Sequence, residues 1–111
     1  MAAMSPWGQI DYVEKYELGL CSVGTPSHGG LRVSRGYANK HLSQAAIRTA
    51  IEYGGYYWFE EDCDWCIVAS ETPHLWPAFF ACMKNVDPAE YLEQSLRRWN
   101  AKYLLDLADE R

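Results

Sequence analysis

The sequence predicts an α+β fold in which an N-terminal three-stranded antiparallel meander packs against helices and a long helix closes the chain. Two patterns carry this prediction. Apolar and polar residues alternate with a period of two early in the chain, and apolar residues recur every three or four positions near its end. The 111 residues, 49% hydrophobic and 23% charged, are enough for one core. We therefore expect a single domain over residues 1–111.

Three strands are predicted in the first part of the chain. Residues 10–17 alternate and are rich in aromatic and β-branched side chains, which is typical of a half-buried strand. Residues 20–25 and 31–34 predict the second and third strands, with turn residues between them. Ahead of the meander, Ser5-Pro6-Trp7-Gly8 has a turn composition. We expect Trp7 to pack against the sheet, because a large ring gains much free energy on burial.

Helical spacing is predicted from Asn39 onwards, and Gly54-Gly55 supplies a C-terminal stop. The stretch from Tyr53 to Phe59 then concentrates aromatic residues beside two glycines, which indicates either core or a contact surface. Residues 60–70 fit a strand or a helix. The helix is favoured because acidic residues begin the segment.

Two more helices are predicted after Thr72-Pro73, which ends the preceding one. Residues 75–83 are expected to form a short apolar helix against the core. Asp87-Pro88-Ala89-Glu90 then has the residues of a capped helix start. A helix of about 22 residues, roughly 33 Å long, should follow. Its buried stripe is predicted at Leu92, Leu96, Trp99 and Tyr103. Such a helix would span the core or pair with a second copy in a homodimer.

Charge is unevenly distributed along a chain whose net charge is −5. No Lys or Arg lies between Arg48 and Lys84, whereas six carboxylates do: Glu52, Glu60, Glu61, Asp62, Asp64 and Glu71. With a sequence pI near 5.1, direct binding to nucleic-acid phosphates is disfavoured. The acidic segment favours a protein partner with a basic surface, including one that normally holds DNA or RNA. A simply solvated acidic face is the alternative.

Cys21, Cys63, Cys66 and Cys82 are predicted to be reduced, because no export signal is visible and the cytoplasm is the expected compartment. Cys63-Asp-Trp-Cys66 has the spacing of a redox or zinc motif. The flanking acids would raise the pKa of these thiols, however, and no second paired motif completes a zinc site. Buried, inert thiols are therefore favoured, and no cofactor or metal is expected. No segment is apolar over a length that would span a bilayer.

His28 is a candidate ligand-binding residue. It lies in Ser27-His28-Gly29-Gly30, where the glycines let a ligand approach the backbone. A hydrogen bond from His28 to the local backbone is the favoured alternative. The sequence contains no Walker loop, dinucleotide fingerprint or zinc-protease motif, so no catalytic residue is assigned.

Three blocks carry a resemblance to a known family: Ser5-Pro6-Trp7-Gly8, the Ser27-His28-Gly29-Gly30 block, and Trp58 to Trp65 with its Glu-Glu-Asp-Cys-Asp-Trp run. They resemble the successive blocks of an uncharacterised domain family encoded on bacterial plasmids, conjugative elements and phages. The resemblance covers roughly Ser5 to Phe80 and leaves the C-terminal helix outside it. It implies a mobile-element setting and no assigned activity.

Two main classes of function follow. The first is a non-enzymatic protein that inhibits a host defence complex, of the anti-CRISPR or anti-restriction type, by occupying its nucleic-acid site. Its partner-binding residues are predicted to be Tyr56, Tyr57, Trp58, Glu60, Glu61, Asp62, Asp64 and Trp65. The alternative is a metal-dependent hydrolase or nuclease in which His28 and the Glu60–Asp64 carboxylates hold a cation that activates water. A dimerisation module is a third reading, supported by the C-terminal helix alone.

Overall fold

The structure, a computed structural model, describes residues 3–110. Its strands are β1 (Met4–Ser5), β2 (Gly8–Gln9), β3 (Tyr12–Glu17), β4 (Leu20–Gly24), β5 (Gly29–Ser34), β6 (Ile51–Tyr53) and β7 (Tyr56–Glu60). Its helices are α1 (Arg35–His41), α2 (Gln44–Thr49), α3 (Trp65–Glu71), α4 (Trp76–Phe79), α5 (Pro88–Trp99) and α6 (Ala101–Glu110), with a 3₁₀ turn over Pro73–Leu75. The prediction of an α+β fold is confirmed.

The main sheet is antiparallel and has the strand order β3-β4-β5-β7-β6. The predicted meander forms three of these strands, but the sheet continues through β7 and β6. Gly54 and Gly55, which were expected to end a helix, both have positive φ values, 59° and 84°. They form the two-residue turn of the β6–β7 hairpin, for which positive φ at both positions is the favoured geometry.

The helix expected from Asn39 to Tyr53 is two short helices instead. Ser34 accepts a hydrogen bond from the Tyr37 backbone N–H and starts α1, and Ser43 accepts one from the Ala46 backbone N–H and starts α2. A serine side chain that satisfies a free backbone donor favours a new helix start, so Ser43 interrupts the helical run.

Two further predictions are confirmed in part. The helix favoured for residues 60–70 begins at Trp65, because Glu60 still belongs to β7, and its C-cap is Thr72. The apolar helix predicted over residues 75–83 is the shorter α4.

The long C-terminal helix is broken at Asn100. The predicted start is confirmed, since the Asp87 carboxylate accepts from the Ala89 backbone N–H at 3.3 Å. At Asn100, however, φ is −129° and ψ is 41°, outside the helical region. Its side-chain Nδ2 donates to Asp64 at 2.9 Å, which anchors the break to the start of α3. The break redirects α6 onto α2.

The break also changes which residues of the last segment are buried. Leu92, Leu96 and Tyr103 are buried as predicted, but Trp99 is 60% exposed. The prediction that Trp99 belongs to the core is therefore wrong, because it assumed one uninterrupted helical phase across Asn100.

The sheet separates two apolar clusters. Leu31 and Val33 of β5 are buried on the inner face, against the helices, and Arg32 points to the opposite, outer face. Part of the outer face is covered by the N-terminal residues, where Trp7 contacts Trp58 with ring centroids 5.9 Å apart. The predicted packing of Trp7 on the sheet is confirmed.

The absence of a side chain at Gly30 leaves room for the Trp7 ring on the outer face of the sheet. A Cβ at this position would lie 2.3 Å from the Phe59 carbonyl oxygen and 2.6 Å from the Trp7 ring. A residue without a side chain is therefore needed where Trp7 approaches the sheet.

Candidate functional site: an acidic aromatic cleft

The acidic segment contains carboxylates that hold the fold together. Glu71 accepts from both the backbone N–H and the hydroxyl of Ser43, each at 2.7 Å, and from the Tyr103 hydroxyl. It thereby joins α2, α3 and α6. Asp64 accepts from Asn100 at the break between α5 and α6. These two side chains are structural.

Glu61 and Asp62 are different, because both are exposed in the turn between β7 and α3. The Glu61 backbone N–H donates to the Gly29 carbonyl oxygen at 3.0 Å, so the turn is fixed to the end of β5. Both residues line a cleft of about 400 Å³. We call it the acidic aromatic cleft, and its other defining side chains are Tyr16, Trp65, Phe79 and Tyr91.

The rings of the cleft form a continuous wall. Tyr16 and Phe79 have centroids 4.7 Å apart, Trp65 and Phe79 are 6.0 Å apart, and Trp65 and Tyr91 are 6.3 Å apart. These distances lie in the range of favourable aromatic pairs, so the wall is held by its own packing. Tyr91 is 37% exposed and places part of this wall in reach of a partner.

A wall of rings beside two carboxylates suits a lysine or arginine side chain. The aliphatic stem or planar guanidinium of such a side chain would pack on the rings, and its cationic head would lie near the carboxylates. Both interactions strengthen as the partner surface displaces water.

The remaining predicted partner-binding residues lie elsewhere. Tyr57 and Trp58 are 8% and 2% exposed and belong to the interior on opposite faces of the sheet. Tyr56 is exposed on the outer face, and Glu60 is half-buried at the end of β7. Alternation along β7 separates these neighbours in sequence, so the aromatic run does not form one surface.

His28 is exposed in the β4–β5 turn. The Thr25 hydroxyl donates to the His28 carbonyl oxygen at 2.7 Å and accepts from the His28 backbone N–H at 3.1 Å. These bonds define the turn through the backbone of His28. Across residues 3–110, no group of three or more His, Cys, Asp or Glu side chains is arranged to hold a metal ion. The structure therefore does not assemble His28 and the Glu60–Asp64 carboxylates into the cation site that the hydrolase hypothesis requires.

The cysteines are free thiols. Cys21 and Cys66 are buried as expected, Cys63 is half-buried, and Cys82 is exposed, so the prediction of burial is wrong for Cys82. Burial and the neighbouring Asp64 carboxylate raise the pKa of Cys63 to about 11. Burial also raises the pKa of Cys66. The Cys63-Cys66 pair therefore lacks the reactive thiolate that a redox motif uses.

The comparisons with known proteins place the whole described chain in one family. The model of a domain of unknown function, DUF7007, matches residues 1–110. The chain belongs to this family. The prediction of an uncharacterised domain family is confirmed, and the match runs past Phe80 through both C-terminal helices, which the resemblance had left outside. No curated protein and no solved structure matches.

The DUF7007 match thus takes in the acidic aromatic cleft, including Tyr91 on α5. Over residues 3–110, none of the helices combines the length and apolar character needed to cross a membrane. The setting on plasmids, conjugative elements and phages stays a prediction.

A second polar cluster in this DUF7007 domain was not predicted from the sequence. Glu17, at the end of β3, accepts from the Tyr37 hydroxyl at 2.5 Å and pairs with His74 Nε2 at 3.0 Å. The hydrogen bond from Tyr37, and then that from His74, lowers the pKa of Glu17. Burial and the bond to Glu17 raise the pKa of Tyr37. The three residues are distant in the sequence, and no motif marks them.

Proposed function

We propose that the protein is a non-enzymatic binding domain whose acidic aromatic cleft receives a lysine or arginine side chain from a basic protein partner. The observation that carries this proposal is the position of Glu61 and Asp62, exposed together beside the ring wall. Neither carboxylate takes part in an ion pair within residues 3–110. Their charge is therefore available to a partner.

The charge distribution supports a partner of opposite charge. The net charge is −5, and no Lys or Arg occurs from residue 49 to residue 83. An acidic surface of this kind accelerates encounter with a basic surface through long-range attraction. Rings that are already packed against one another lose little conformational entropy on binding, so they are suitable anchors.

The form of the function that we favour is inhibition. A partner surface rich in Lys and Arg commonly binds nucleic acid, and a protein that occupies it excludes the phosphates. The partner is then a host defence complex of the CRISPR or restriction type. This step is supported by the acidic cleft and by the resemblance to mobile-element domains.

A charge-reversal pair tests the cleft. The cleft variant carries Glu61→Lys and Asp62→Lys, and the matched control carries Glu90→Lys and Asp109→Lys on exposed helix positions. Asp64 is left unchanged because it anchors Asn100. The probe is a fluorescein-labelled arginine-rich peptide, followed by anisotropy at low salt.

The cleft variant should weaken peptide binding by about tenfold or more, whereas the control should change it by about twofold at most. Raising the salt concentration from about 0.05 to about 0.5 M should weaken peptide binding by the unmodified protein, because the Debye length falls from roughly 14 to 4 Å. Equal weakening in both variants would assign the effect to net charge and contradict a specific cleft.

Inhibition is tested separately in cells. Phage plating on a strain with an active CRISPR or restriction system should rise when the protein is expressed, and the cleft variant should abolish the rise. If the peptide binds but plating does not change, the cleft is still a binding site for basic side chains, and the defence complex is rejected as its partner.

A further inference from the structure

A groove on the outer face of the sheet is basic, in contrast to the rest of this acidic chain. It encloses about 680 Å³ and lies between the β3–β4 turn and α1. We call it the outer groove and define it by four of its lining side chains: Lys15, Arg32, Lys40 and Tyr56. Its volume is within the range of pockets that hold small organic ligands.

Strand pairing explains how distant basic residues meet there. The register pairs Lys15 of β3 with Cys21 of β4, and Cys21 with Arg32 of β5. The two cations therefore lie in one row across the outer face. Lys40 reaches the same groove from α1 and is exposed.

Among the residues that the structure describes, one carboxylate lines the groove, and it is engaged. Glu17 accepts from Tyr37 and pairs with His74, so it is held at the edge of the groove by these two side chains. Three Lys or Arg side chains with a single occupied carboxylate favour an anionic ligand.

Flat rings lie next to these cations. The Arg32 guanidinium stacks over the Tyr56 ring, with Cζ 4.9 Å from the ring centroid. Tyr53 pairs with Tyr56 across β6 and β7, and the two are 43% and 38% exposed. Exposed tyrosines on neighbouring strands, beside arginine and lysine, are the side chains on which nucleic-acid bases stack while their phosphates are neutralised.

We propose that the outer groove binds a nucleotide unit of single-stranded nucleic acid, with its phosphate near Lys15, Arg32 and Lys40 and its base on Tyr56. The low sequence pI disfavoured contact with phosphates. The pI is one value for the whole chain, however, and does not show that basic side chains collect on the outer face of the sheet. The proposal is independent of the acidic aromatic cleft, which shares none of its described lining residues with the groove.

The test uses the full chain and fluorescein-labelled single strands of DNA and RNA of about ten nucleotides. The groove variant carries Lys15→Gln, Arg32→Gln and Lys40→Gln. The matched control carries Lys84→Gln, Arg97→Gln and Lys102→Gln, which removes the same charge away from the groove. Thermal melts check that each variant folds, and the double variant Lys15→Gln with Lys40→Gln changes exposed residues only.

The groove variant should bind about tenfold or more weakly, with the control within about twofold of the unmodified protein. The slope of log affinity against log salt should fall by about 0.7 in the groove variant, since about 0.7 is lost per phosphate contact and the groove holds one phosphate. Tyr56→Ala should also weaken binding by about tenfold through lost stacking. Tighter binding of the strands than of adenosine monophosphate supports a unit within a strand.

Three results would overturn the assignment. One is the absence of strand binding at low salt, and another is equal weakening by the control variant. The third is tighter binding of a labelled polyglutamate peptide than of either strand, which would make the occupant an acidic protein segment.

Discussion

Glu71 supplies the sharpest test of how the acidic segment is used. Replacing it with alanine removes the acceptor of three hydrogen bonds, from the Ser43 backbone N–H, the Ser43 hydroxyl and the Tyr103 hydroxyl. A hydrogen bond to a charged group contributes about 1.5 to 3 kcal/mol, but bonds that share one carboxylate are not additive. Because Glu71 is half-buried, water replaces part of the loss. We expect the free energy of unfolding to fall by about 3 kcal/mol.

For a domain of this size, that loss corresponds to a Tm lower by about 10 °C. Urea denaturation measures the change directly, and the slope of the transition should be unaltered because the fold is the same. The matched control is Glu93→Ala, which removes an exposed carboxylate paired with Arg97 at 2.7 Å and should cost about 0.5 kcal/mol or less.

A double-mutant cycle with Tyr103→Phe then isolates one arm of the network. If Glu71 and Tyr103 act through their hydrogen bond, the phenylalanine change should cost much less in the Glu71→Ala background than in the unmodified protein. A decrease in Tm of less than about 2 °C for Glu71→Ala would refute the structural role of Glu71. Its carboxylate would then be a solvated surface group.

Four other outcomes are expected. Gly30→Ala should lower the free energy of unfolding by about 2 kcal/mol or more in denaturation, because the added Cβ meets a carbonyl oxygen at 2.3 Å. Trp99→Ala should cost less than about 1 kcal/mol in the same assay, since its ring is 60% exposed. Iodoacetamide followed by peptide mapping should modify exposed Cys82 well before Cys63, whose raised pKa keeps it protonated at neutral pH. In thermal melts from about pH 7 to 3, Glu17→Gln should lose less stability on acidification than the unmodified protein. The pKa of Glu17 is lower in the folded state, so its carboxylate stabilises the fold at pH values above the unfolded carboxyl pKa. This stabilisation is lost as the pH falls through the folded pKa.

The local patterns of the sequence predicted the meander and the start of the C-terminal helical segment well. Alternation over β3, β4 and β5 survives in the fold, and Asp87 with Pro88 marks the start of α5. These signals are local, since they depend on residues a few positions apart.

Two of the failures share a cause, because each depends on a partner far away in the chain. Asn100 interrupts the helix where it bonds Asp64, which is 36 positions earlier. Gly54-Gly55 could end a helix or turn a hairpin, and pairing of β7 with β5 decides between them. Sequence spacing alone carries no information on either contact.

The candidate site shows the same limit in a different form. Glu61, Asp62 and Trp65 were expected to bind a partner, and the structure places all three in one cleft. The other walls of the cleft come from β3, α4 and α5, through Tyr16, Phe79 and Tyr91. Nothing in the sequence connects these rings to the acidic segment, because only tertiary packing brings them together.

The acidic aromatic cleft and the outer groove can be tested separately, because they lie at different places on the sheet. The acidic aromatic cleft includes inner-face residues, whereas Lys15 and Arg32 lie on the outer face, and no side chain within residues 3–110 lines both. Substitutions at such sites should act additively on binding as well as on stability. A partner that presents both a basic protein surface and a nucleic-acid strand would bind the cleft and the groove together. Two weak contacts that are linked in this way give a higher overall affinity without any additional contact. Combining the cleft and groove variants should therefore reduce binding to a nucleoprotein more steeply than either variant alone, whereas each isolated probe should respond to its own variant.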